Sequence, residues 1–148
     1  MAKRNLPIGI EFYKKVIDEA YFYVDKTLII KELLDRQSYV NLFTRPRRFG
    51  KTLALDMLKT FFEDEIDEKG NAVDNSRYFA DKKIMDAGNQ YIQHMGRYPV
   101  IYLSFKSSKQ ADWDTTFWMI KKQIAEEYIR HQYVLQTDDL LEVEKNLY

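Results

Sequence analysis

The sequence contains no cysteine, only two histidines and no long apolar run. The lack of cysteine excludes a disulfide framework and a thiolate zinc site. His94 and His131 stand far apart in the chain, so the sequence does not indicate a histidine metal site. No apolar run approaches the roughly 20 residues that a membrane-spanning helix needs, and no signal-peptide stretch follows the basic first residues. We therefore expect a cytoplasmic protein that does not enter a membrane.

An excess of either charge is also missing, since 23 basic and 23 acidic residues give a net charge of zero. This balance gives no general attraction to nucleic acid or to an anionic membrane, although a local basic patch remains compatible with it. The 148 residues, 45% of them hydrophobic, suit one globular domain that buries a core.

Two kinds of periodic segment alternate along the chain. Helical spacing of apolar residues occurs at about residues 12–17, 28–34, 52–63 and 91–95, from 111 to 131, and from 137 onward. Strand-like runs occur at residues 21–24, 39–44 and 98–105. The last run is almost continuously apolar, as in strands buried on both faces of a parallel sheet. The order therefore predicts an α/β domain.

The helix predicted at residues 52–63 has a narrow polar stripe. Asp56, Lys59, Thr60 and Glu63 follow one another at helical spacing, and apolar residues fill most other positions. A broad apolar arc predicts a helix buried on most sides, as beside a sheet.

Aromatic residues mark the helix that starts near residue 111. Trp113, Phe117, Trp118 and Tyr128 lie at helical spacing, so we expect them in the core or in a buried interface. Any part of this surface that is exposed is expected to drive self-association.

Residues 45–52 read Arg-Pro-Arg-Arg-Phe-Gly-Lys-Thr and contain the most informative motif. Gly50, Lys51 and Thr52 match the second half of the phosphate-binding loop G-x-x-x-x-G-K-[ST], and Arg45 stands where its first glycine would be. A strand-like run precedes the segment and a helix follows it, which is the context that such a loop requires.

The motif predicts the chemistry of its second half. Gly50 permits a positive φ and a close approach of phosphate to the backbone. Lys51 would bind the terminal phosphates and the Thr52 hydroxyl would ligate Mg²⁺. The backbone of Phe49 and Leu53 completes the predicted nucleotide-binding segment, because N–H groups at a helix start favour anions.

The first half departs from the motif. Arg45 precedes a proline and is therefore pushed toward extended backbone, while Pro46 has no N–H to donate. Arg47 and Arg48 would offset this loss if their guanidinium groups bind phosphate. Alternatively they are solvated, or pair with the acidic residues at 63–68.

Four segments resemble the AAA-ATPase-like domain of bacterial proteins that often carry a C-terminal PD-(D/E)XK nuclease-like region. They are residues 6–12 (LPIGIEF), 23–34 (YVDKTLIIKELL), 45–62 (RPRRFGKTLALDMLKTFF) and 98–106 (YPVIYLSFK). The resemblance implies an ATP-binding P-loop core, that is, a three-layer αβα domain with a mostly parallel sheet. It assigns phosphate binding to Gly50, Lys51 and Thr52, with ATP and Mg²⁺ as ligands, and Arg45 is the usual residue in that family.

The resemblance leaves open the role of Asp25, Lys26 and Thr27. The segment either flanks the nucleotide, or Asp25 and Thr27 cap the helix that follows. The acidic strand that hydrolysis needs has no match within the chain. We therefore expect residues 1–148 to be the N-terminal part of a larger ATPase and not to hydrolyse ATP alone.

Three functions are compatible with the motif. The first is ATP binding through a modified P-loop, as part of a larger AAA-like ATPase. The second is a nucleic-acid or protein interaction module whose basic loop, Arg45 to Arg48, contacts phosphates; zero net charge and the lack of a second basic cluster argue against it. The third is a small-molecule kinase, for which no acceptor site or lid arginines are visible.

Overall fold

A computed structural model describes residues 5–44, 46, 48–67, 69–106, 111–136 and 143. Within these residues the α-helices are α1 (Tyr13–Asp18), α2 (Leu28–Arg36), α3 (Lys51–Phe62), α4 (Asn89–Ile92) and α5 (Trp113–Arg130). Short 3₁₀ helices form at Ser76–Tyr78, Lys83–Asp86 and Gln132–Gln136. The chain divides into two compact units, Met1–Val100 and Ile101–Tyr148. The helix predicted from residue 137 onward lies outside the described residues.

The predicted three-layer αβα domain with a mostly parallel sheet is wrong. The described residues form only two isolated β-bridges, Glu63 with Tyr98 and Ile66 with Ala72. The run at 39–44 pairs with no neighbour, and its apolar residues Tyr39, Val40 and Leu42 are each at least 85% exposed. A run of β-prone residues becomes a buried parallel strand only when other strands bind its backbone, and the described part of the chain supplies none.

The strand-like run at 98–105 is extended, but beyond Tyr98 it contacts a helix instead of a sheet. In the second unit, the backbone N–H of Tyr102 donates to Glu127 at 3.1 Å, and that of Ser104 donates to Gln123 at 3.2 Å. Side chains of α5 thus take the acceptor positions that a neighbouring strand would fill. The short strand predicted at 21–24 is also not formed.

The core of the first unit lies between the helices and the two 3₁₀ turns near residue 80. Its fully buried side chains are Tyr13, Val16, Ile30, Met57, Phe61, Phe79 and Ile84. Phe79 holds the centre, with its ring centroid 5.3 Å from that of Tyr13 and 5.2 Å from that of Phe61. The core therefore joins α1 and α3 through aromatic contacts.

Helix α3 was predicted almost to the residue, but its orientation differs from the prediction. Thr60 and Glu63 of the polar stripe are 4% and 3% exposed, whereas apolar Leu55 is 44% exposed. Helix α1 packs against α3. The Thr60 hydroxyl donates to the backbone oxygen of Asp56, and Glu63 pairs with Lys59 at 3.7 Å. Buried polar groups need such partners, and periodicity alone does not reveal them.

Helix α5 is formed as predicted, and its N-cap residue is Asp112, whose carboxylate accepts a hydrogen bond from Thr115 N–H at 2.8 Å. Its aromatic residues were expected in the core or in a buried interface; the position in the core is wrong, and the buried interface stays a prediction. Exposed fractions are 70% for Trp113, 46% for Phe117, 57% for Trp118 and 48% for Tyr128. Helical spacing identifies residues that share a face, but it does not show whether another element covers that face. None of the helices in the described ranges combines the length and apolar character needed to cross a bilayer.

Candidate phosphate-binding site

The loop before α3 adopts an unusual backbone conformation. Arg48 has a φ of 68° and Gly50 a φ of 71°, so both occupy the left-handed region. Glycine tolerates this region, whereas a side-chain-bearing residue such as arginine pays about 1–2 kcal/mol for it. Backbone strain of this kind concentrates at functional sites. The predicted residues Arg45 and Arg47 lie outside the described residues.

The first turn of α3 follows the loop directly. Gly50 is the N-cap residue, and its carbonyl oxygen accepts the first helical hydrogen bond from Ala54 N–H at 2.9 Å. N–H groups in the first turn of a helix have no acceptor within that helix, and the helix dipole makes this end positive. Lys51 is exposed here and Thr52 is half-buried. The turn can therefore receive an anion through N–H groups, an ammonium and a hydroxyl.

The position of this turn is fixed by the core of the first unit. The side chain of Leu53 packs against the core cluster, and Met57 and Phe61 further along α3 are fully buried in it. Leu53 therefore contributes only its backbone N–H to the site. Because the first two turns of α3 are anchored in the core, the loop before α3 is attached to a rigid helix.

A lysine from a different part of the chain also lies at the loop. The Lys26 ammonium donates a hydrogen bond to the carbonyl oxygen of Phe49 at 3.3 Å. Its nitrogen is 3.7 Å from the position that a Cβ atom on Gly50 would occupy. The sequence placed no specific function on Lys26, and the Val-Asp-Lys-Thr segment was the only signal for it.

The two neighbours of Lys26 hold the backbone in place. Asp25 accepts hydrogen bonds from the Thr27 N–H at 2.8 Å, the Thr27 hydroxyl at 2.7 Å and the Lys83 N–H at 2.8 Å. Thr27 is fully buried and occupies the N-cap position of α2, but its hydroxyl accepts from Ile84 N–H at 3.2 Å instead of capping the helix. Asp25 and Thr27 thus stabilise the local backbone, while the Lys26 side chain between them contacts the loop.

The carboxylate of Asp25 is held by hydrogen bonds from Thr27 and Lys83. Burial acts to raise the pKa of Asp25, but the hydrogen bonds from Lys83 and Thr27 outweigh it and hold the pKa below its ordinary value of 3.8. The carboxylate is therefore ionised at neutral pH and bound by its own donors. The cations at the loop, Lys26 and Lys51, remain as the groups that attract an anion.

A separate cleft of about 280 Å³ lies elsewhere in the first unit. Its walls include Tyr21, Tyr23, Asp25, Asp81 and Lys82, and none of residues 48–53 lines it. The cleft and the loop are therefore distinct features of the surface.

Comparison with known proteins identifies a family to which the chain is similar. A family model described as "Predicted AAA-ATPase" matches residues 7–147. Over 63 residues the chain is 43% identical to a protein of Azotobacter chroococcum mcd 1 named "Uncharacterized protein in vnfD 5'region". That alignment includes 42% of the chain but spans only 12% of the length of this relative. No solved structure matches the chain.

Proposed function

The chain belongs to the family of predicted AAA-ATPases, and we propose that it binds ATP with Mg²⁺ through the loop and first helical turn at residues 48–53. The observation that carries this proposal is the conformation of Gly50, which is left-handed at the N-cap position of α3. The Gly-Lys-Thr sequence therefore lies at a helix start, where backbone N–H groups favour an anion and Lys51 is exposed.

Each residue of the segment has a role in this proposal. Lys51 binds the terminal phosphates, and the Thr52 hydroxyl ligates the magnesium ion that the nucleotide carries. Arg48 adds a guanidinium contact to phosphate, for which its exposed side chain is available.

The remaining predicted residues act mainly through the backbone. Leu53 and Phe49 shape the turn, since the Leu53 side chain is packed against the core. Arg47, predicted as a further phosphate contact, keeps that role as a proposal based on sequence alone.

A titration of the chain with ATP and Mg²⁺ tests the proposal directly. Isothermal calorimetry should detect binding in the wild-type chain and a loss of about tenfold or more in Lys51→Ala, as expected when one charge-assisted contact is removed. Lys15→Ala is the matched control because Lys15 is an exposed lysine of α1 that pairs with Glu19 at 3.8 Å.

Two outcomes would contradict the proposal. One is ATP binding that is equal in the wild-type chain and Lys51→Ala. The other is an absence of ATP binding together with salt-sensitive binding of DNA or RNA that Arg48→Ala weakens, which would favour the interaction module.

Binding, rather than turnover, is the activity proposed for residues 1–148, as part of a larger AAA-like ATPase. Hydrolysis requires an acidic group that helps to hold magnesium and orients water, and residues 45–52 contain no acidic residue. Magnesium-dependent phosphate release that disappears in Lys51→Ala would overturn this part of the proposal.

A further inference from the structure

The environment of Lys26 differs from that of most other lysines described in the first unit. Five of them pair with a carboxylate: Lys14, Lys15, Lys31, Lys59 and Lys82. Lys26 instead donates to a backbone carbonyl, that of Phe49, and its side chain is exposed. Its positive charge is therefore not neutralised by an acidic partner within the described residues.

We infer that Lys26 is a second phosphate-binding cation of the loop, and this inference rests on the function proposed above. Its ammonium already lies beside Phe49 and Gly50, where a phosphate bound to the first turn of α3 would approach. A hydrogen bond from an ammonium to a phosphate oxygen is stronger than one to a neutral carbonyl. The Lys26 ammonium would therefore leave the Phe49 oxygen and bind the phosphate.

The fixed backbone around Lys26 favours this exchange. Asp25 and Thr27 are hydrogen-bonded to Lys83 and Ile84, so the main chain on both sides of Lys26 is held in place. Only the flexible side chain has to move to reach a phosphate, which limits the entropy lost on binding.

A second cation would also compensate for the backbone donor that the motif lacks. Pro46 has no N–H to offer, so the loop provides fewer backbone donors than a complete phosphate-binding loop. An ammonium from a neighbouring segment restores a donor and adds a full positive charge.

Three substitutions at one position separate the roles that Lys26 can have. Lys26→Ala removes the donor and the charge, Lys26→Gln keeps a hydrogen-bond donor without charge, and Lys26→Arg keeps both. The probes are ATP with Mg²⁺ and inorganic tripolyphosphate, which lacks the nucleoside. We expect Lys26→Ala and Lys26→Gln to bind both probes about tenfold or more weakly, and Lys26→Arg to stay within about threefold of wild type. The dependence of binding on salt should also decrease in Lys26→Ala and Lys26→Gln.

The same measurements can overturn the inference. If Lys26→Gln binds as tightly as wild type, Lys26 only holds the Phe49 carbonyl and shapes the loop. If Lys26→Ala binds normally while Lys51→Ala does not, the proposed function stands and the inference falls. If the wild-type chain binds neither probe, both fall. Lys15→Ala should match wild type throughout, and an unchanged urea midpoint for Lys26→Ala excludes unfolding as the cause of weaker binding.

Discussion

The backbone N–H of Tyr13 donates a hydrogen bond to the Asp56 carboxylate at 2.6 Å, so a residue of α3 caps the start of α1. The N-cap residue of α1 is Phe12, whose side chain offers no acceptor. The capping group therefore comes from the helix that follows the candidate phosphate-binding loop. Packing of α1 and placement of the loop are coupled through this contact.

This contact has a defined pH dependence. Desolvation raises the pKa of Asp56 above its ordinary value of 3.8, and the hydrogen bond from Tyr13 and the charge of Lys59 only partly oppose it. The folded state thus holds the proton more tightly than the unfolded state, and the stability due to Asp56 decreases as the pH rises from 3.8 through the folded pKa. Asp56→Asn retains an acceptor and cannot ionise, so its free energy of unfolding should lack this decrease. Urea unfolding between about pH 4 and about pH 7 measures the difference.

Asp56→Ala is the control for the loss of the acceptor. It leaves the Tyr13 N–H without its partner and should cost about 1–3 kcal/mol at neutral pH, whereas Asp56→Asn should cost much less. Equal losses in the two variants would mean that the negative charge itself, acting on the start of α1, provides the stabilisation.

Thr27→Val should destabilise the first unit by about 1–3 kcal/mol, because it replaces a fully buried hydroxyl by a methyl group of similar size. Asp25 loses a donor and the Ile84 N–H loses its acceptor. Thr27→Ser keeps the hydroxyl and should lose only about 1 kcal/mol, from the missing methyl group. Urea unfolding followed by circular dichroism compares the two. A larger loss in the serine variant would show that packing of the methyl group, rather than hydrogen bonding, holds this turn.

Gly50→Ala and Gly70→Ala form a matched pair for the loop. Both glycines have a left-handed φ, 71° and 81°, so each alanine should cost about 1–2 kcal/mol of stability. An added Cβ at Gly50 would lie 3.7 Å from the Lys26 ammonium, whereas at Gly70 it would meet nothing within 4 Å. We therefore expect only Gly50→Ala to weaken ATP binding, which a calorimetric titration measures. A similar loss of binding in both variants would mean that general destabilisation is responsible.

Local sequence signals predicted the positions of the helices well, but they did not predict which helix side chains are buried. Periodic apolar residues located α3 and α5, because helical spacing depends on the local chain alone. Burial depends on which elements meet. Thr60 and Glu63 are buried although they belong to the polar stripe of α3, and Trp113 is exposed although its spacing suggested a core.

The prediction of strands was wrong for a related reason. Residues 39–44 and 98–105 have the composition of strands, but a strand exists only through hydrogen bonds to another segment. The helix side chains Gln123 and Glu127 accept the N–H groups of the second run instead. Composition cannot reveal such a partner.

The candidate site shows the same division between local and long-range information. The consecutive Gly50, Lys51 and Thr52 were visible as a motif, since neighbours in sequence must lie together. The contact of Lys26 with Phe49 joins two segments that are distant in sequence. It depends on the hydrogen bonds of Asp25 and Thr27 to the turn at residues 83–84, which no local pattern encodes.

The exposed aromatic residues of α5 determine what optical spectroscopy can report about this protein. Both tryptophans of the chain, Trp113 and Trp118, are on this helix and are mostly exposed. Their fluorescence therefore reports on the surroundings of α5 in the second unit. The natural optical reporters of the first unit are its buried tyrosines, Tyr13, Tyr78 and Tyr91.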